Sequence, residues 1–123
     1  MQRIVAAIAI LFGLVTIVAG GRVLGGADPG YTAFLPLLIY NTAMGVVYVA
    51  AGVTIWRSLR WGRNAAGAVF ALNLLVFVET VVLYRTGSGV AVESVRAMAF
   101  RTAMWLVLFA VTALARASAT PRE

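Results

Sequence analysis

The chain has 123 residues, of which 63% are hydrophobic and 11% charged, and its net charge of +6 comes from ten arginines and four acids. A soluble domain carries about 25% charged residues, so a surface covered mostly by water is excluded. Cysteine and histidine are absent, which excludes disulfides, thiolate nucleophiles, iron–sulfur clusters and the commonest zinc and haem ligands.

An α-helix needs about 20 mostly apolar residues to cross roughly 30 Å of hydrocarbon. Four such runs follow one another, from Ile4 to about Leu24, from about Phe34 to Trp56, from Asn64 to Tyr84 and from about Val95 to Ala117. They do not alternate in polarity, so they do not read as β-barrel strands. The first run follows Arg3 and ends near Val18-Ala19-Gly20. It can be read as a signal peptide with a small-residue cleavage site, but a retained helix is the expectation. The connections are short: a Gly-rich stretch with the breaker Asp28-Pro29-Gly30, a basic loop Arg57–Arg63, and Arg85-Thr86-Gly87-Ser88-Gly89. Short loops make successive helices antiparallel neighbours. The expected fold is all-α, a single-domain, four-transmembrane-helix up-down-up-down bundle.

Arginine placement gives an expected orientation. Arg57, Arg60 and Arg63 share one side with Arg3 and Arg116, whereas Arg22, Arg85 and Arg96 lie on the other with Asp28 and Glu93. Cytoplasmic loops collect arginine, so both termini are expected in the cytoplasm. Trp56 and Trp61 suit the inner interface, Tyr31 and Tyr84 the outer one. The rim arginines Arg22, Arg85 and Arg96 read as contacts to lipid headgroups, and no nucleic-acid partner is expected. A shift of 60 residues lays Asn41-Thr42-Ala43-Met44 on Arg101-Thr102-Ala103-Met104 and Arg3 on Arg63. Residues 1–60 and 61–120 would then be two repeated hairpins, although many matches between such Ala-, Val- and Leu-rich segments arise by chance.

Three polar residues fall within the runs: Asn41, Glu79 and Arg101. Intramembrane charges are costly, and they mark sites unless they are structural. Counted from the basic ends at about 1.5 Å per residue, all three sit roughly 22–24 Å from the inner boundary. One layer is therefore expected, with Glu79 and Arg101 as an ion pair and Asn41 in reach. The plainer alternative has Arg101 snorkelling to lipid phosphate, with Glu79 paired to Arg85 or Arg22. Asn73, deeper in the third run, is expected to pack and to bond Thr16. Ala9, Gly13 and Ala65-Ala66-Gly67-Ala68 would let helices approach closely, within the bundle or in a dimer. Met44, Tyr48, Phe70 and Phe77 read as packing or lipid contacts.

Gly20-Gly21, then Asn41, Gly45, Tyr48, Ala51-Gly52 and Trp56, then Leu74–Phe77, and finally Glu93, Met98, Arg101 and Trp105 together resemble a group of small uncharacterised bacterial four-span membrane proteins. The resemblance covers most of the chain. It implies a bacterial plasma membrane and carries no activity. The small multidrug exporters also have four short helices, but their first-helix glutamate has no counterpart here.

Three functions compete. A non-enzymatic accessory or structural subunit beside a larger membrane partner fits the small size and minimal loops. An oligomeric transporter or channel would use the Glu79–Arg101–Asn41 layer. A lipid- or quinone-binding module would use Arg85, Arg96 and Arg101 with Trp105 stacking nearby. Without a nucleophile or a metal set, no enzyme is expected, and no cofactor.

Overall fold

A computed structural model of the chain describes residues 2–28, 30, 34–87 and 89–119. Four helices run antiparallel in chain order: α1 (Gln2–Leu24), α2 (Leu35–Arg57), α3 (Leu59–Arg85) and α4 (Val92–Ala119). Each is long and apolar enough to cross a membrane; at about 1.5 Å per residue the shortest reaches about 35 Å. The α1–α2 and α3–α4 connections share one end of the bundle, here the hairpin end. The α2–α3 connection lies at the opposite, terminal end with the start of α1 and the end of α4.

Local signals set the helix ends. Gly26, at φ +112°, closes α1: its N–H donates to the Val23 carbonyl (3.0 Å) and that of Ala27 to the Arg22 carbonyl (2.9 Å). This pairing ends a helix when a glycine takes the left-handed position. Pro36 stands in the first turn of α2, where a missing N–H costs nothing. The expected basic loop is mostly helix. Ser58 alone breaks the chain between α2 and α3, and its hydroxyl accepts the Trp61 N–H (3.3 Å) as an N-cap. Arg60, Trp61, Gly62 and Arg63 thus belong to the opening turns of α3, five residues before the expected start at Asn64. Likewise α4 begins at Val92 rather than Val95, with Glu93 in its first turn, where a negative charge complements the helix dipole. The expected breaker Pro29 and the interfacial Tyr31 lie outside the described residues.

Size rather than polarity separates inside from outside. On α1 the buried positions are Val5, Ala6, Ala9, Gly13 and Thr16, whereas Ile4, Leu11, Val15 and Val18 are about 60% exposed. A helix apolar on every side belongs in a core or in lipid, so the large branched residues form the lipid face. Small residues draw α1 against α2. A Cβ on Gly13 would lie 2.7 Å from the Gly45 carbonyl oxygen and 2.8 Å from the Val49 nitrogen. One on Gly52 would lie 3.0 Å from the Ala6 carbonyl oxygen. Ala6, Gly13 and Gly20 recur every seven residues, as do Gly45 and Gly52, the period of a left-handed helix pair. The Gly13 step therefore serves the bundle itself. Gln2 closes the same seam at the terminal end, donating to the carbonyls of Ile55 (2.8 Å) and Trp56 (3.2 Å).

The ends carry interfacial residues. Trp56 and Trp61 are exposed at the terminal end, with Arg3 over the Trp56 ring and Arg60 over the Trp61 ring, each at 5.5 Å. Tyr84 is exposed at the hairpin end. Such aromatic rings favour the membrane–water boundary.

Candidate functional site: a polar core and a side pocket

The mostly apolar core of the bundle holds a cluster of polar groups. Leu59, Gly62, Ala66, Val69, Asn73 and Thr80 are the buried face of α3, spaced by threes, fours and sevens. This face puts Asn73, fully buried, on the bundle axis. Its Oδ1 accepts two hydroxyls from α2, those of Tyr40 (2.9 Å) and Tyr48 (3.1 Å). Thr102 on α4 donates to the Asn73 backbone carbonyl (3.3 Å) as well as to the Met98 carbonyl (2.8 Å). Asn73 therefore ties α3 to α2 and α4. The expected bond to Thr16 is not made, because Thr16 lies on α1 and is engaged by α4.

Arg101 is the fifth member. It is half-buried; its Nη1 donates to the Thr16 Oγ1 (3.1 Å), and its guanidinium lies 5.5 Å from the Phe12 ring centroid. Aromatic rings enclose the cluster: Phe12 on Tyr48 at 5.4 Å, Tyr48 on Trp105 at 5.1 Å, Phe12 on Phe100 at 5.9 Å. Trp105 has no exposed surface, so it cannot stack on a ligand at the rim. The Nδ2 of Asn73, the Nε of Arg101 and the Nε1 of Trp105 are buried without hydrogen-bond partners. The cluster thus holds more donors than acceptors.

The expected ion pair does not form: among the described residues no acid pairs with Arg101. Equal depth placed Glu79 and Arg101 in one layer, but azimuth separates them. Positions seven apart on a helix differ by only about 20°, so Asn73 and Thr80 share the inward face, and Glu79, one residue earlier, is turned by about 100°. Glu79 is exposed. Asn41 is half-buried, and its buried Oδ1 has no hydrogen-bond partner. It joins neither charge. Arg22, Arg85 and Arg96 are exposed at the hairpin end.

Glu79 instead lines a cavity of about 250 Å³ between the hairpin ends of α2 and α3. Phe34, Pro36 and Leu37 form one wall, Val76 and Leu83 the other, and Val90 closes it from the segment before α4. Its polar lining is Tyr40, Glu79 and Thr80. The Thr80 hydroxyl donates within its own helix to the Val76 carbonyl (2.7 Å), and that of Tyr40 to Asn73. Tyr40 therefore touches both the pocket and the polar core. The signal for this arrangement was in the sequence: Tyr40 stands beside Asn41, eight residues before Tyr48, on the face that meets Asn73.

Among the described residues no group of acids could hold a metal ion. The chain matches no protein family, no characterised protein and no solved structure.

Proposed function

We propose that this integral membrane protein is a binding module that takes a small amphiphile from the bilayer into the pocket between α2 and α3. The single observation behind this reading is that cavity, apolar on most of its wall, with one carboxylate and a tyrosine hydroxyl among its lining groups. Ligand sites are concave and mainly apolar, with a few placed polar groups. At about 250 Å³ the pocket is smaller than the roughly 300–1,000 Å³ of drug-sized sites, so its occupant is small or enters only with its head and first carbons. The host is a bacterial plasma membrane, with both termini in the cytoplasm. A transport role through a Glu79–Arg101–Asn41 layer loses its basis, since the three residues do not meet.

Native mass spectrometry of the chain, extracted gently from its membrane, tests the reading. One retained amphiphile per chain is expected, and Leu83→Trp, which fills the pocket, removes it. A stoichiometric larger protein, retained equally by the Leu83→Trp variant and with no amphiphile, would replace this reading with that of an accessory subunit.

A further inference from the structure

Resting on the pocket reading above, we propose that the ligand is a hydrophobic ammonium ion, held by Glu79 and the aromatic rings of Phe34 and Tyr40.

The chemistry of the lining selects the charge. Thr80 and Tyr40 spend their hydroxyl protons inside the protein, so neither is a free donor for a carbonyl or phosphate oxygen. A quinone or an anionic head would meet no uncommitted donor in this lining. Glu79 is the reverse case: among the described residues it makes no hydrogen bond and no ion pair, and it is the one charged group lining the cavity. A carboxylate at membrane depth is costly unless a cation or water meets it. Arg85, on the same helix, lies six residues nearer the hairpin end, about 9 Å along the axis, and does not pair with it.

Shape supports the same class. Phe34 and Tyr40 line the cavity with Glu79, and aromatic faces beside a carboxylate attract alkylammonium groups. The remaining wall of Pro36, Leu37, Val76, Leu83 and Val90 suits an alkyl chain. Charge at one side and hydrocarbon at the other describe an ammonium head with an apolar tail. That chemistry has two sources, an amine-headed membrane lipid or a free hydrophobic amine.

Hexyltrimethylammonium is the probe, with hexanol as the neutral control and hexanesulfonate as the anionic one. Binding is measured by calorimetry on the full chain in lipid nanodiscs. The wild type is expected to bind the ammonium probe more tightly than hexanol and to reject the sulfonate. Glu79→Gln is expected to weaken the ammonium probe by about tenfold or more, as loss of a close opposite charge does, and to leave hexanol unchanged. Leu83→Trp is expected to weaken both. If Glu79→Gln leaves the ammonium affinity unchanged while Leu83→Trp lowers it, the pocket stands and the ammonium assignment is overturned. If Leu83→Trp changes neither ligand, the pocket reading falls, and this inference falls with it. Discs with and without phosphatidylethanolamine separate the sources. Competition by that lipid identifies the amine-headed lipid, and unchanged affinity identifies a free amine. Thermal melts of both variants show that they fold.

Discussion

Asn73 shows how one side chain organises a core made mostly of hydrocarbon. Its carbonyl oxygen takes two tyrosine hydroxyls, so removing it strands both, whereas removing one tyrosine hydroxyl leaves the other bond in place. Intramembrane hydrogen bonds average about 0.6 kcal/mol in double-mutant cycles, while a stranded buried polar group costs about 1–3 kcal/mol. Asn73→Leu is therefore expected to destabilise by about 1–3 kcal/mol and Tyr48→Phe by less than 1 kcal/mol, read from reversible unfolding in mixed micelles. Equal losses would mean that Tyr40 does not share the acceptor. Arg101 gives a prediction of the opposite sign. Its bond to Thr16 and its contact with Phe12 are each worth up to about 1 kcal/mol, against the cost of holding a charge with no acid beside it. Arg101→Met is expected to leave stability unchanged or raise it. With Glu79→Gln it should combine additively, because residues without shared partners do not couple; coupling above about 0.5 kcal/mol would show that the two charges sense each other. The sequence could place both charges at one depth but not around the helix axis, because depth follows from counting residues while azimuth needs the inward face. That face was legible on α3, where Ala66, Val69, Asn73 and Thr80 recur in threes, fours and sevens.

The helices themselves were legible because a bilayer imposes length and hydrophobicity on any span. The start of α3 was not, since Arg57 to Arg63 has the composition of a loop and only the Ser58 cap turns it into helix. The α1–α2 seam was half legible: Ala9 and Gly13 signalled close approach, yet only the structure shows Gly45 and Gly52 as the facing partners. That seam supports a sharp contrast between glycines. At Gly13 a methyl group meets the backbone of Gly45 and Val49 below 3 Å, whereas at Gly21, also in α1, nothing lies within 4 Å. Overpacking costs about 1–3 kcal/mol, and alanine favours a helix over glycine by about 0.5–1 kcal/mol. Gly13→Ala should therefore lower the melting temperature, and Gly21→Ala should leave it unchanged or raise it. Similar behaviour of both variants would mean that α1 and α2 are not held this closely in the bilayer.

At the scale of the whole molecule the two hairpins divide the work. Gly13 and Gly45 seal the first hairpin with backbone against backbone; the residues 60 positions later are Asn73 and Trp105, and the second hairpin supplies Asn73 and Arg101, which Tyr40, Tyr48 and Thr16 of the first hairpin meet. α1 reaches α4 through long side chains, Phe12 on Phe100 and Arg101 on Thr16. The pocket lies at the hairpin end, so the orientation of the bundle decides which leaflet supplies the ligand. Five arginines, Arg3, Arg57, Arg60, Arg63 and Arg116, belong to the terminal end, while Arg22, Arg85 and Arg96 at the hairpin end are accompanied by Asp28 and Glu93. Arginine-rich ends tend to stay in the cytoplasm, and the orientation proposed on that ground would put the pocket in the outer leaflet. Because the chain has no cysteine, single thiols report this directly. A membrane-impermeant maleimide applied to intact cells should label the Thr86→Cys variant and spare Ala117→Cys, which should react only after the membrane is opened. The reverse pattern would place the pocket in the cytoplasmic leaflet, and Glu79 would then draw its ammonium ligand from the cell interior, because a carboxylate near one face of the bilayer can be reached by a charged head only from that face.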